Sequence, residues 1–409
     1  MTVHLLLMWF ATPAPTDVRV YYDAAPGVLS GHLYEILSGP HSLLFTYPPF
    51  AAVVMLPLSW LSWPVAVVLV QVLNLIALAV IIDRAALLLR GARMGWHSLM
   101  LWVALAFWAE PVHHTFDLGQ VNLGLAAIAI SAAALPASRS ALAGSGVGFI
   151  AGWKLVPAVT GMYFLALGRK KAVIWSLTTF LVTVAVGWSI APTESIRYWT
   201  SLLWDSSRVG SVMSVRNQSL QGVVARFTGH DTGMGLWWGV CAVLVIGLAC
   251  LAASRAARRG DRLGLLLVVQ LSGLMLVPIS WSHHWVWCVP AVMWLAAPKN
   301  RALLSARVAC AAWVLVTGTH LVPTLSTMQD ARAPGSPYPG VLAWLGTAFC
   351  VCGVATLVAV MQANRSTSGS PLTVASASSS PDRIRRARDH AQAILHRRQT
   401  RQQTLLTPR

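Results

Sequence analysis

Carboxylates are scarce in this chain, which has 409 residues and thirteen Asp and Glu against thirty Lys and Arg. Three of them, Asp17, Asp23 and Glu35, fall within residues 17–50, DVRVYYDAAPGVLSGHLYEILSGPHSLLFTYPPF, a polar stretch bordered by apolar sequence. A carboxylate at such a border loses part of its hydration, which raises its pKa toward the range useful to a general base. Asp17 has this position, and Val18, Tyr21 and Ala25 after it share one face at helical spacing. Asp is also a favoured helix N-cap, so the same residue has a purely structural reading.

The matching cations lie far along the chain. Lys154 sits in GWKLVP between two short apolar runs, where an ammonium either reaches the headgroups or meets a phosphate and stabilises the charge that develops as a phosphoester bond breaks. Arg216 opens the loop RNQSLQG, and His283 and His284 stand together in SWSHHW. Adjacent histidines diverge around a helix. With no H-E-x-x-H spacing and no cysteine partner, they suit hydrogen bonding to phosphate or sugar better than zinc. Asp23, Tyr47, Gln120, Asn122, Asn217 and Gln218 supply carboxylate, hydroxyl and amide groups of the kind that bind sugar hydroxyls, although amides at a helix end also cap. Glu110, His113, His114 and Asp117 are further ionisable groups beside apolar runs.

These groups need a scaffold, and its composition is that of a membrane. Hydrophobic residues make up 56% of the chain and charged residues 11%, against roughly 25% charged in a soluble domain. Spans are expected at 64–82, 97–113, 122–136, 141–153, 156–167, 172–191, 233–254, 263–279, 285–298, 302–322 and 339–361. With a short first run at the N-terminus they total about twelve, where a full crossing takes about twenty residues. The fold class is therefore all-α and polytopic. Residues 49–62 are apolar but short and broken by proline, which predicts an interfacial element and not a span. The runs meeting at Lys154 read as a broken hairpin, and Gly144, Gly146 and Gly148 as a close helix-packing surface.

This alternation collects Arg84, Arg90, Arg93, Arg139, Arg169, Lys170, Lys171, the basic run at 255–262, Lys299 and Arg301 on one side, which the positive-inside rule makes cytoplasmic. The opposite face receives residues 17–62, the turn at Gly119, 192–232, 281–284 and 322–339. The net charge of +17 is explained by topology, so no nucleic-acid partner is called for. A catalytic membrane domain over 1–362, with 14–63 as its first outer loop, is followed by a Ser/Pro-rich and then basic tail, 363–409, expected to be disordered and cytoplasmic. The six cysteines fall in apolar segments and give no disulfide framework.

Six fragments occur in order over nearly all of the apolar part: DVRVYYDAAPGVLSGHLY, FTYPPFAAVVMLPL, GQVNLGL, GWKLVPAV, NQSLQGVVARF and PISWSHHWVW. Together they resemble glycosyltransferase family 87, the polyprenyl-phosphate-sugar-dependent membrane transferases of mycobacteria and their relatives. The resemblance implies a GT-C fold in the cell membrane with an extracytoplasmic active site. It also implies mannose transfer from polyprenyl-phosphate-mannose to a glycolipid acceptor (phosphatidylinositol mannoside, lipomannan or lipoarabinomannan), usually through an α-(1→2) bond, while some relatives transfer arabinofuranose. It maps the acid of the first outer loop onto Asp17, with Asp23 six residues on as a second candidate, and the phosphate-side motifs onto Lys154 and the His283–His284 pair. Conversion of a β-linked mannosyl phosphate to an α-mannoside implies inversion in one displacement. No D-x-D motif is evident, so neither a metal nor another cofactor is expected. Two other classes fit the same layout: a lipid-linked-sugar flippase or transporter, suggested by the broken helix pair and central charges, and a non-catalytic assembly factor.

Overall fold

The computed structural model describes residues 15–332 and 338–363. The expected first span and the basic tail, apart from Ala363, lie outside them. Among the described residues the chain is helical, with isolated β-bridges at Ser38–Leu43 and Asn217–Trp281 in place of a sheet. Four helices, Trp63–Arg90, Lys170–Ile190, Leu236–Arg259 and Gly340–Gln362, are long and apolar enough to cross a membrane, five if the pair Leu304–Gly318 and Leu321–Asp330, bent by 48°, is one span. Shorter apolar helices, among them Asn122–Ala134 and Arg262–Leu276, fill the space between them.

Trp63–Arg90 shows how sequence sets one of these elements. Ser62 is extended, a proline stands in the first turn, and the helix ends at Gly91 in the left-handed region, which glycine adopts freely. Val65, Leu69, Val72 and Ile76 are exposed along one side, while Ala66, Val70, Asn74, Leu78 and Ile81 are buried on the other. An apolar side left open in this way is the surface a lipid phase covers.

The close packing expected of the glycines is present, with a different register. A β-carbon at Gly144 would collide with the carbonyl of Ala172, one at Gly148 with that of Ser176, and one at Gly152 with the Thr183 hydroxyl, whereas Gly146 looks toward Ile128. The stripe therefore runs 144, 148, 152, one residue per turn, and lays Ser140–Trp153 against Lys170–Ile190.

Several expected spans have different ends. Residues 97–113 are interrupted after Trp96–Phe107, because Pro111 sits in the first turn of a new helix, Glu110–Leu118. The break at Lys154 is as expected: Ser140–Trp153 ends, Lys154 is extended, and a 3-10 turn, Val156–Val159, leads into Thr160–Ala166. Residues 49–62 form Pro49–Met55 and a 3-10 turn, Leu56–Trp60, too short to cross. The loop expected at 322–339 is helical over Leu321–Asp330.

Basic residues bind the carbonyls at one end of the bundle. Arg169 donates to Leu135 O at 3.1 Å, Arg262 to Ala133 O, Arg255 to Met361 O at 3.1 Å and Arg259 to Val360 O at 2.7 Å. Cations at helix C-termini offset the exposed carbonyls. Asn122, at the other end of the thirteen-residue helix Asn122–Ala134, is about 18 Å away at 1.5 Å per residue. The candidate chemistry lies at that opposite end.

Candidate active site

Asp17 occupies the first turn of Thr16–Ala24, where Pro15 is the N-cap, so the capping role is not the one it has. Its Oδ2 instead accepts a hydrogen bond from Gln120 Nε2, while Oδ1 has no partner among the described residues. The turn that delivers Gln120 depends on Gly119, whose φ is +67° and where a side chain would run into Val18. Burial raises the Asp17 carboxyl above its ordinary range, partly offset by the Gln120 hydrogen bond and by the nearby Lys154 ammonium.

Gln120 links this acid to the cation. Tyr47 OH donates to Gln120 Oε1 at 3.2 Å, and Lys154 Nζ stands 3.5 Å from Tyr47 OH and 5.1 Å from the centre of its ring. Lys154 Nζ also donates to Asn122 Oδ1 at 2.8 Å and lies 3.1 Å from His284 Nε2. Asn122 in turn donates to the His283 carbonyl at 3.1 Å. Gln120, Asn122, Lys154 and His283 are all buried. Both ring nitrogens of His283, and Nδ1 of His284, are buried without a hydrogen-bond partner, although unpaired buried polar groups are costly. Such groups are available to a ligand.

A backbone zipper ties the loop that carries Arg216 to the histidine turn. Gln218 N donates to Ser280 O at 2.7 Å and Ser282 N to Arg216 O at 2.9 Å, so two distant loops pair like short strands. Arg216 is half exposed and 3.7 Å from Asp330.

Two expected ligands have other roles. Asn217 and Gln218 are fully buried, and their amides are engaged with protein groups: Asn217 Nδ2 with Val212 O and Pro278 O, its Oδ1 with the amides of Ser219 and Ser280, and Gln218 with Val215 O, Gly346 O and the Phe349 amide. They fasten the loop that carries Arg216 and are corrected from sugar ligands to structural ties, because both side chains are fully buried and all their amide N–H groups are already donated to protein carbonyls. Asp23 pairs with Arg19 one turn back at 2.7 Å. Glu35 pairs with His32 and Arg197, which hold it below the usual carboxylate range.

Beyond Lys154 a narrow, mostly apolar cleft of about 30 Å³ is walled by Leu125, Ala129, Pro157, Leu274 and Trp287, with Asn122, Lys154 and His284 among its polar lining. The structure brings Lys154 and His284 into contact; sequence reasoning named Glu110 and His114 singly and not as a pair, and did not single out Tyr21, whose hydroxyl lies 3.3 Å from that of Tyr47. The signal for that pair was the i, i+4 spacing of an acid and an imidazole beside a proline break.

Fold and site together define an α-helical membrane protein with a carboxylate, a lysine and two histidines gathered at one end of the bundle. Residues 45–279 match the model of glycosyltransferase family 87. The chain is 39% identical over 347 residues to a Mycobacterium tuberculosis (strain CDC 1551 / Oshkosh) polyprenol-phosphate-mannose-dependent alpha-(1-2)-phosphatidylinositol pentamannoside mannosyltransferase, covering 83% of this chain and 80% of that protein. It is 39% identical over 350 residues to the protein of the same name from Mycolicibacterium smegmatis (strain ATCC 700084 / mc(2)155), covering 83% of each. A further relative from Mycobacterium tuberculosis (strain ATCC 25618 / H37Rv), a polyprenol-phosphate-mannose-dependent alpha-(1-2)-phosphatidylinositol mannoside mannosyltransferase, is 32% identical over 307 residues, 69% of this chain and 70% of that protein. The chain belongs to glycosyltransferase family 87 and is a glycosyltransferase. No solved structure matches it at a significant level.

Proposed function

We propose that this enzyme transfers mannose from polyprenyl-phosphate-mannose to a mannosylated phosphatidylinositol acceptor, with inversion and an α-(1→2) product. The observation that carries the reading is the hydrogen-bonded row from Asp17 through Gln120 and Tyr47 to Lys154 and His284, which sets a proton acceptor and a cationic phosphate site side by side. The relatives' names supply the donor and the acceptor class.

In this mechanism Asp17 Oδ1 takes the proton of the acceptor hydroxyl as its oxygen bonds to the anomeric carbon. The bond from that carbon to the phosphate oxygen breaks on the opposite face, and its electron pair stays with the phosphate of the departing polyprenyl phosphate. Lys154, Arg216, His283 and His284 stabilise that charge, as fixed donors do in a site poor in water. A monoester phosphate among fixed cations accounts for the step without a metal. The apolar walls beyond Lys154 match the chemistry of the donor's lipid. We assign the chain to a GT-C architecture of about twelve spans, with the site outside the cell and the arginine-bound end and the tail in the cytoplasm, on the separation of the basic end from the Asp17 cluster.

The test is an assay of purified protein with polyprenyl-phosphate-mannose, polyprenyl-phosphate-arabinose and a phosphatidylinositol mannoside. α-(1→2)-Mannosylated lipid with stoichiometric release of polyprenyl phosphate supports the reading. Product from the arabinose donor alone replaces the sugar, and movement of donor between leaflets without its cleavage replaces transfer with transport.

A further inference from the structure

Behind the histidine pair lies a second polar cluster that the transfer step above does not use. Glu110, in the first turn of Glu110–Leu118, is 1% exposed. Its Oε1 accepts from Ser282 Oγ at 2.8 Å and stands 3.3 Å from His114 Nδ1, which is itself 3.2 Å from Ser282 Oγ. The Glu110 Oε1 is engaged with Ser282 and His114 and not with a backbone amide of its own helix among the described hydrogen bonds. Its second oxygen, Oε2, is buried and unpartnered.

This cluster is joined to the phosphate side. Thr115 Oγ1, which donates to Pro111 O at 2.7 Å within the same helix, also lies 3.2 Å from the His283 carbonyl. The His114 ring meets His283 edge-on with centres 5.2 Å apart, and His283 meets His284 edge-on at 4.8 Å. A continuous row of imidazoles thus leads from Glu110 to Lys154. With Nδ1 turned to Glu110 and Ser282, Nε2 is the His114 nitrogen without a partner among the described residues.

We propose that His114 is a further ligand of the donor's phosphate and that Glu110, with Ser282, is its positioning residue. This rests on the transfer reading above. A carboxylate at Nδ1 and a phosphate at Nε2 hold a proton on each ring nitrogen, and the resulting charge-assisted hydrogen bond adds to those of Lys154 and the histidine pair. It also gives the buried Glu110 carboxylate the counter-charge that burial demands.

The experiment measures binding of polyprenyl monophosphate to the purified full chain, together with donor and acceptor KM, for wild type, His114→Gln, Glu110→Gln and Glu110→Asp. Both amide variants are expected to weaken monophosphate binding and raise the donor KM about tenfold, the scale of one charge-assisted hydrogen bond, with the acceptor KM within twofold. Glu110→Asp, which keeps the charge, should recover part of the loss. Should Glu110→Gln fail to fold, His114→Gln, whose side chain is 21% exposed, carries the test alone. Wild-type binding in His114→Gln overturns the inference and leaves transfer untouched. Monophosphate binding in the wild type without any sugar transfer overturns the transfer reading, and the loss of binding in the variants still decides the role of His114.

Discussion

Lys154 Nζ and His284 Nε2, 130 positions apart in the chain, stand 3.1 Å from each other. When Lys154 is protonated it has only donors, so the imidazole then accepts at Nε2 and carries its proton on Nδ1, which is buried and unpartnered. Lysine therefore fixes the tautomer of the histidine as well as supplying charge. Lys154→Ala is expected to lower kcat about 10²- to 10³-fold, the usual cost of removing one fixed donor from developing charge. Lys154→Arg should not restore it, because a planar fork cannot reproduce the contacts to Asn122, His284 and Tyr47. Steady-state kinetics with saturating donor check both.

The pH dependence follows from Asp17. A general base works deprotonated, and burial raises this carboxyl, so kcat/KM should fall as pH drops through a value above the ordinary carboxylate pKa of about 4. The Gln120 hydrogen bond acts in the opposite direction. Gln120→Leu should move the acid limb to higher pH, as read from a kcat/KM profile of the two proteins.

Helix packing gives a stability test independent of chemistry. Gly148→Leu forces a side chain into the Ser176 carbonyl and should cost at least about 1–3 kcal/mol, whereas Gly146→Ala, whose β-carbon would sit 3.5 Å from Ile128, should be tolerated. Thermal unfolding in detergent separates the two.

Asn217 and Gln218 should behave as structural residues. Removing either amide strands buried backbone groups, at about 1–3 kcal/mol for each group left unsatisfied, so Asn217→Ala and Gln218→Ala are expected to lower stability. In protein that remains folded, acceptor KM should stay near wild type. A selective rise in acceptor KM at unchanged stability would return them to the sugar site.

The parts of this molecule legible in sequence are those set by composition and local chemistry. The apolar runs gave the membrane class, and Pro157 after Lys154 marked the broken pair. Val18, Tyr21 and Ala25, spaced as one helical face, are buried as that spacing implies. Partners chosen by tertiary packing were not legible. Asn217 and Gln218 have the residue types of sugar ligands, and only the pairing of their loop with Ser280 and Ser282 turns those amides inward. In the same way, Asp17 and Asp23 are equivalent by composition; the contrast between them comes from Gln120 meeting one and Arg19 the other.

Asp17 as the proton acceptor is tested most directly by comparing Asp17→Asn with Asp23→Asn for mannose transfer from polyprenyl-phosphate-mannose, with donor binding measured alongside. Asp17→Asn is expected to bind donor normally and lose about 10²- to 10⁴-fold in kcat, and Asp23→Asn to remain within a few-fold of wild type. Wild-type turnover by Asp17→Asn contradicts the assignment.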